Sequence, residues 1–203
     1  PSSGYALIRV NDGKLRNSGI EFDLTGHIIK KKNYFIDLNI NGEHFNNKIT
    51  AMPLDPSNGN KPKVIDVQSP FGWAKDHSIY DFYMRDFAGV DPADGRSKWT
   101  VFYDDANDNK QFDAGEQVID LENYYATNPD KKGKLLTGTT KTFSQATQHY
   151  IGKSAIPKVR GGVNLRAGYK GFSLAVQVLY SFGGYAFEGN YQDLMSNGSI
   201  GGN

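Results

Sequence analysis

The chain has 203 residues, a net charge of +1, no cysteine, and 23 Gly, 12 Tyr and 12 Phe. The near-neutral balance gives no bulk electrostatic basis for a nucleic-acid partner. A mean hydropathy of −0.56 without any apolar run of about 20 residues excludes a helical membrane protein. Barrel strands, in contrast, need only about 9–11 alternating residues each and leave little trace in averaged hydropathy. The lack of cysteine fits a reducing compartment or an envelope protein without disulfides.

The first predicted elements form a hairpin over residues 19–49. Ile20, Phe22, Leu24 and Ile28 alternate with Glu21, Asp23, Thr25 and His27. A turn at Lys30–Asn33 follows, after which Ile36, Leu38 and Ile40 alternate with Asp37, Asn39 and Asn41. Period-two patterning of this kind puts all apolar side chains on one face of a strand pair and all polar ones on the other.

Residues 50–157 break the pattern. Seven of the chain's prolines fall here, with Asn-Gly, Asp-Gly and Lys-Gly turn signals between them. So long a connection is unusual inside a compact domain, but barrels of the outer membrane join short periplasmic turns to long extracellular loops. Within it, Ser78–Val90 and Lys98–Tyr103 read as strands around the turn Asp91–Gly95, and Glu116–Tyr125 as a short helix.

A second hairpin occupies residues 158–183. Val159, Gly161, Val163 and Leu165 face away from Arg160, Gly162, Asn164 and Arg166. The connector Ala167–Gly171 then leads to Phe172, Leu174, Val176, Val178, Tyr180 and Phe182, set against Ser173, Ala175, Gln177, Leu179 and Ser181. Such strands suit a wall with water on one side and hydrocarbon on the other. Tyr34, Phe35, Tyr169 and Phe172 flank the short turns and Tyr180, Phe182, Tyr185 and Phe187 the opposite ends, as two interfacial girdles would. Glu21, Asp23, His27, Asp37, Arg160 and Arg166 are expected to form a polar lattice on the lumen side. Residues 1–18 and 184–203 are read as the ends of outer loops.

The clearest motif for chemistry lies in the long loop. Read against a twelve-residue calcium loop, Asp105, Asn107 and Asn109 occupy positions one, three and five, the Gln111 carbonyl position seven, Asp113 position nine and Glu116 position twelve. Lys110 stands at position six, where Gly is expected. The strand before it also places this motif outside a true EF-hand, so the expected role is a structural Ca2+ pinning a mobile loop, with an acidic turn as the competing reading. Aromatics crowd the same loop, and Trp73, Trp99 and Tyr83 are the candidate ligand-binding rings, against the competing reading that they form its core.

Nothing points to catalysis. His27, His44, His77 and His149 lack metal-ligand spacing, and the chain has no nucleophile elbow, phosphate loop or zinc-protease motif. We expect no enzyme.

Asn17–Gly26, Ile36–Asn41, Asn47–Thr50, Ile79–Pro92, Pro157–Val163 and Tyr180–Gly184 together resemble the C-terminal barrel half of SusC/RagA-type TonB-dependent outer-membrane transporters. The resemblance runs through nearly the whole chain in consistent order. It implies an all-β fold that is part of a large antiparallel transmembrane barrel of about 22 strands, in the outer membrane of a Gram-negative cell. It also implies a SusD-like surface lipoprotein as partner, glycan or peptide import, and coupling to the TonB complex through a plug region. Plug, TonB box and terminal aromatic strand are not recognised here, so the sequence is expected to supply about four barrel strands and one large outer loop. The alternative is a soluble β-sandwich binding module, with or without calcium stabilisation, which would need two apolar faces packed together.

Overall fold

The computed structural model describes residues 13–190. Residues 1–12 and 191–203, parts of the two expected outer-loop ends, lie outside the described residues. The regular structure is predominantly antiparallel β-strand. Two compact units emerge, one holding residues 19–45 with the stretch from Ser154 onward, the other the stretch up to Ser18 with residues 46–153.

The first unit is a four-stranded sheet of order β1-β2-β13-β14. Strands β1 (Lys14–Lys30) and β2 (Tyr34–Ala51) form the first hairpin, β13 (Val159–Tyr169) and β14 (Phe172–Phe182) the second. β1 and β2 run past the expected limits of 19–49 and continue into the second unit. The second hairpin turns through Lys170 (φ +43°) and Gly171 (φ +88°), both left-handed, the backbone of a tight turn matched to strand twist. The register pairs Val163 with both Ile40 and Val178, and Leu165 with both Leu38 and Val176, so the apolar positions of neighbouring strands fall on one face. The sheet is open, with β1 and β14 as its edges. These residues do not by themselves close a barrel.

The second unit is built from short strands: β3 (Leu54–Asp55), β4 (Lys61–Pro62), β5 (Ile65–Gln68), β6 (Phe71–Ala74), β7 (Asp81–Arg85), β8 (Phe87–Val90), β9 (Ser97–Tyr103), β10 (Gln117–Val118), β11 (Leu136–Thr140) and β12 (Gln148–Ser154), with one helix, α1 (Leu121–Thr127). One sheet runs β12-β7-β6-β5; in another, β9 is flanked by β11 and by β10 and β8; β3 pairs with β4. Two expectations are corrected. The strand over Ser78–Val90 is interrupted at Asp86, so that β7 and β8 join different sheets, and the backbone carbonyl of Asp86 accepts from Thr100 N–H (2.9 Å) instead of continuing one ladder. The helix starts at Leu121 rather than Glu116, because Gln117 and Val118 pair with Tyr103 and Phe102 and Asp120 supplies the N-cap, accepting from Asn123 N–H.

The core of this unit is Tyr83, Val101 and Thr147, all fully buried, with Phe82, Tyr103, Val118 and Ala146 around them. Thr147 Oγ1 donates to the Val118 carbonyl (2.6 Å) and accepts from Phe102 N–H (2.7 Å), so one buried hydroxyl ties β9 to β10. Buried Asn47 is satisfied the same way: its Oδ1 accepts from Ser78 Oγ and Ile79 N–H while its Nδ2 donates to Asn17. Most buried polar groups in proteins are paired in this manner; among the described residues His149 Nε2 is buried without a partner.

Candidate functional site

The four-stranded sheet has two chemically distinct faces. On one, Ile20, Phe22, Leu24 and Ile28 join Leu165, Leu174, Val176, Val178 and Phe172, all exposed, Leu24 at 65% and Phe172 at 82%. A soluble sandwich would bury this face against a second sheet. Two glycines lie side by side on it, Gly42 and Gly161, covered from either side by Phe22 and Tyr180; a Cβ on Gly161 would collide with the Asn41 carbonyl oxygen and with Tyr180 Oη. Tyr180 uses the space to donate its hydroxyl to the Asn41 carbonyl (2.9 Å).

The other face carries a lattice of amides and ion pairs. Asn39 Nδ2 donates to Asp23 and to Thr25 Oγ1 (3.0 Å), while its Oδ1 accepts from Asn164 (3.0 Å) and Asn41 (3.3 Å). His27 Nδ1 sits 2.6 Å from Asp37, and Arg160 pairs with Glu43. Of the side chains expected in this lattice, Asp23, His27, Asp37 and Arg160 are engaged in it. Glu43 and the central Asn39 and Asn164 were not singled out as its members from sequence; the polar phase of the strand alternation was the available signal.

The candidate calcium loop joins β9 to β10 at a hairpin tip. Asp105 accepts from Asn109 N–H (3.1 Å) and Lys110 N–H (2.8 Å), Asn107 Oδ1 from Asn109 N–H (3.0 Å), and Asn109 Oδ1 from Gln111 N–H (2.7 Å). Asn107 and Asn109 both donate to Asp113 Oδ2, at 2.9 and 2.7 Å, and these bonds hold the Asp113 carboxyl below the usual carboxylate range. Glu116 reaches back to accept from Ala106 N–H and Asp113 N–H. Asp105, Asn107, Asn109, Asp113 and Glu116 are thus linked in one small network, to which Gln111 contributes its backbone N–H. Lys110 adopts φ +59°, the left-handed conformation for which Gly is the ordinary choice. Among the described residues no three Asp, Glu or His side chains are grouped so as to hold a metal. A cation here would depend on amide and carbonyl oxygens as well.

Beside this loop, Asp104 accepts from Lys131 Nζ (2.8 Å) and from Tyr124 Oη (2.6 Å). Both bonds lower the Asp104 carboxyl, the lysine more strongly. Burial, aided by Asp104, pushes the Tyr124 hydroxyl up to about 12.

The three candidate rings part company. Tyr83 is fully buried and donates to Asp120 Oδ1 (2.7 Å); its phenol is raised mainly by burial and then by Asp120. It is a core residue holding the start of α1 and has no surface for a ligand, which corrects its candidacy. Trp73 is 37% exposed and donates Nε1–H to the Ile79 carbonyl. Trp99 is half-buried, edge-on to Phe87 (5.7 Å) and Phe143 (4.8 Å), and Arg85 lies over Phe143 (4.8 Å).

No protein-family model matches the chain, and no curated protein matches it. Solved structures do. The structure of the RagAB peptide transporter matches with TM-score 0.62 at 23% identity over 90% of this chain and 17% of that one. The RagAB peptide importer in its closed-closed state matches with TM-score 0.58, at 24% identity over 85% of this chain and 16% of the other. In the open-open state the values are 0.57, 22%, 85% and 15%. The chain therefore spans about one-sixth of the transporter chains it is similar to, and what it shares with that segment is its fold.

Proposed function

We propose that the chain is a wall segment, with one large outer loop, of a TonB-dependent transporter in the outer membrane of a Gram-negative cell. It imports a glycan or peptide nutrient together with a SusD-like surface lipoprotein. The observation that carries this reading is the two-faced sheet: one face apolar, exposed on β1, β13 and β14 and half-buried on β2, the other a hydrogen-bonded polar lattice. That division suits lipid outside and a wet lumen inside. The likeness to RagAB transporter chains supports it.

In this reading β1 and β14 pair with further strands, since unpaired backbone groups are not tolerated in hydrocarbon. The second unit, on the extracellular side, takes part in nutrient and lipoprotein recognition, with Trp73 and Trp99 as candidate ligand rings. The Asp105–Glu116 loop holds a structural Ca2+ that stiffens the β9–β10 tip. Energy from the TonB complex arrives through a plug region rather than through this segment.

The test is uptake by cells carrying the complete transporter with residues 54–152 replaced by a short linker. The barrel should still assemble while uptake and lipoprotein association are lost, because outer loops carry function on a scaffold they do not stabilise. Unchanged uptake by a correctly inserted variant would remove the loop unit from the mechanism.

A further inference from the structure

We propose that the short-turn end of the sheet is a binding site for anionic phospholipid; this rests on the membrane-wall reading above. Four lysines converge there. Lys30 ends β1, Lys31 and Lys32 lie in the β1–β2 turn, and Lys170 lies in the β13–β14 turn. The turns are neighbours because β2 pairs with β13, Tyr34 opposite Tyr169. Lys170 N–H donates to the Asn33 carbonyl (2.8 Å), joining one turn to the other directly. All four lysines are exposed, and among the described residues none of them belongs to an ion pair. The closest carboxylate along the strands, Asp37, is taken by His27 on the polar face.

The lysines stand on the rim of an apolar ledge. Tyr34, Ile36, Ala167, Tyr169, Phe172 and Leu174 line one shallow hollow. Lys30 continues the apolar phase of β1, two residues beyond exposed Ile28, the place from which a lysine stem can lie along an apolar face and its ammonium reach the polar edge. Lys170 lies 5.3 Å from the Tyr169 ring centroid, over the same ledge. An occupant must therefore present hydrocarbon to the rings and negative charge to the ammonium groups above them. An anionic phospholipid in the leaflet at the short turns does both; a zwitterionic one supplies the chains without the net charge. Each lysine near an anionic surface strengthens attraction roughly fivefold.

The experiment uses the complete transporter in mixed micelles containing equal phosphatidylglycerol and phosphatidylcholine, with bound lipid read by native mass spectrometry. Wild type should retain phosphatidylglycerol preferentially. A variant with Lys30, Lys31, Lys32 and Lys170 all changed to Gln should lose that preference at least about tenfold, with phosphatidylcholine retention unchanged. A control changing Lys61, Lys75, Lys98 and Lys132 to Gln should behave as wild type. Equal retention of both lipids by wild type, an unaltered preference in the quadruple turn variant, or an equal loss in the control would each overturn the site. Carbonate extraction and heat-modifiable electrophoresis run alongside separate the two readings: protein stripped from membranes by carbonate would remove the membrane wall and the lipid site together, whereas an inserted protein without lipid preference removes the site alone.

Discussion

The Tyr180 hydroxyl donates to the Asn41 carbonyl across 2.9 Å, so a side chain of β14 reaches past β13 to the backbone of β2. It can do so only because Gly161 lies between them with no Cβ. The ring covers backbone that glycine leaves bare, and the phenol finds a partner on a face where water is scarce in the proposed setting.

Gly161→Val should therefore be among the most damaging changes in the sheet. The new Cβ would meet Asn41 and Gly42 backbone atoms, which cannot rotate away. We expect a loss of about 1–3 kcal/mol, against about 1 kcal/mol for Tyr180→Phe, which removes only the hydrogen bond. Urea-induced unfolding of the complete protein in lipid vesicles measures both, and equal effects would show that the close approach is unimportant.

Facing can be tested on adjacent residues. Val176 pairs with Leu165 on the apolar face and Gln177 with Asn164 on the polar face. Val176→Arg should cost about 2–4 kcal/mol of stability near mid-membrane while Gln177→Arg is close to neutral. Comparable losses at both positions would contradict the assignment of lipid and lumen.

The calcium proposal predicts weak binding, with Kd of about 10⁻⁴–10⁻³ M, measurable by calorimetry and abolished by Asp105→Ala with Glu116→Gln. At ten times Kd the loop unit should gain about 1.4 kcal/mol. Lys110→Gly removes a positive charge and the cost of a left-handed non-glycine residue, about 1–2 kcal/mol, so it should tighten binding. Absence of heat and of any melting shift in millimolar calcium would make the motif an acidic turn.

Two groups beside that loop give a pH signature. The folded Tyr124 phenol at about 12 lies above its ordinary 10.0. Its contribution is complete below about 10 and is lost as pH rises through about 12. Asp104 is shifted the other way, downward from 3.8, so its contribution is present above that value and disappears as pH falls through the lower folded pKa. Ultraviolet titration of wild type against Tyr124→Phe should isolate one late-titrating phenol; Asp104→Asn should lower its pKa. An unchanged titration in Asp104→Asn would uncouple the pair.

What was legible from residues alone were the two hairpins, their short turns and the faces of their strands. Alternation of Leu174, Val176 and Val178 with Ser173, Ala175 and Gln177 is local information, because a strand's side-chain period is two. The spacing of Asp105 to Glu116 was legible for the same reason, since a tight loop brings alternate side chains together over a few residues. The pairing of β2 with β13 was not, because more than a hundred residues separate them and only long-range register joins Ile40 to Val163. Burial of Tyr83 in the loop's core was one of two readings open from sequence, and it was decided only by Asp120 and the core of the second unit closing around the ring. The break at Asp86 left a trace, a carboxylate in the apolar phase of Phe82, Met84, Ala88 and Val90, but that β7 and β8 find partners in different sheets was not readable from it. Sequence periodicity determined which way side chains face along a strand; tertiary structure alone decided which strands meet, because partner choice depends on register and packing between segments far apart in the chain.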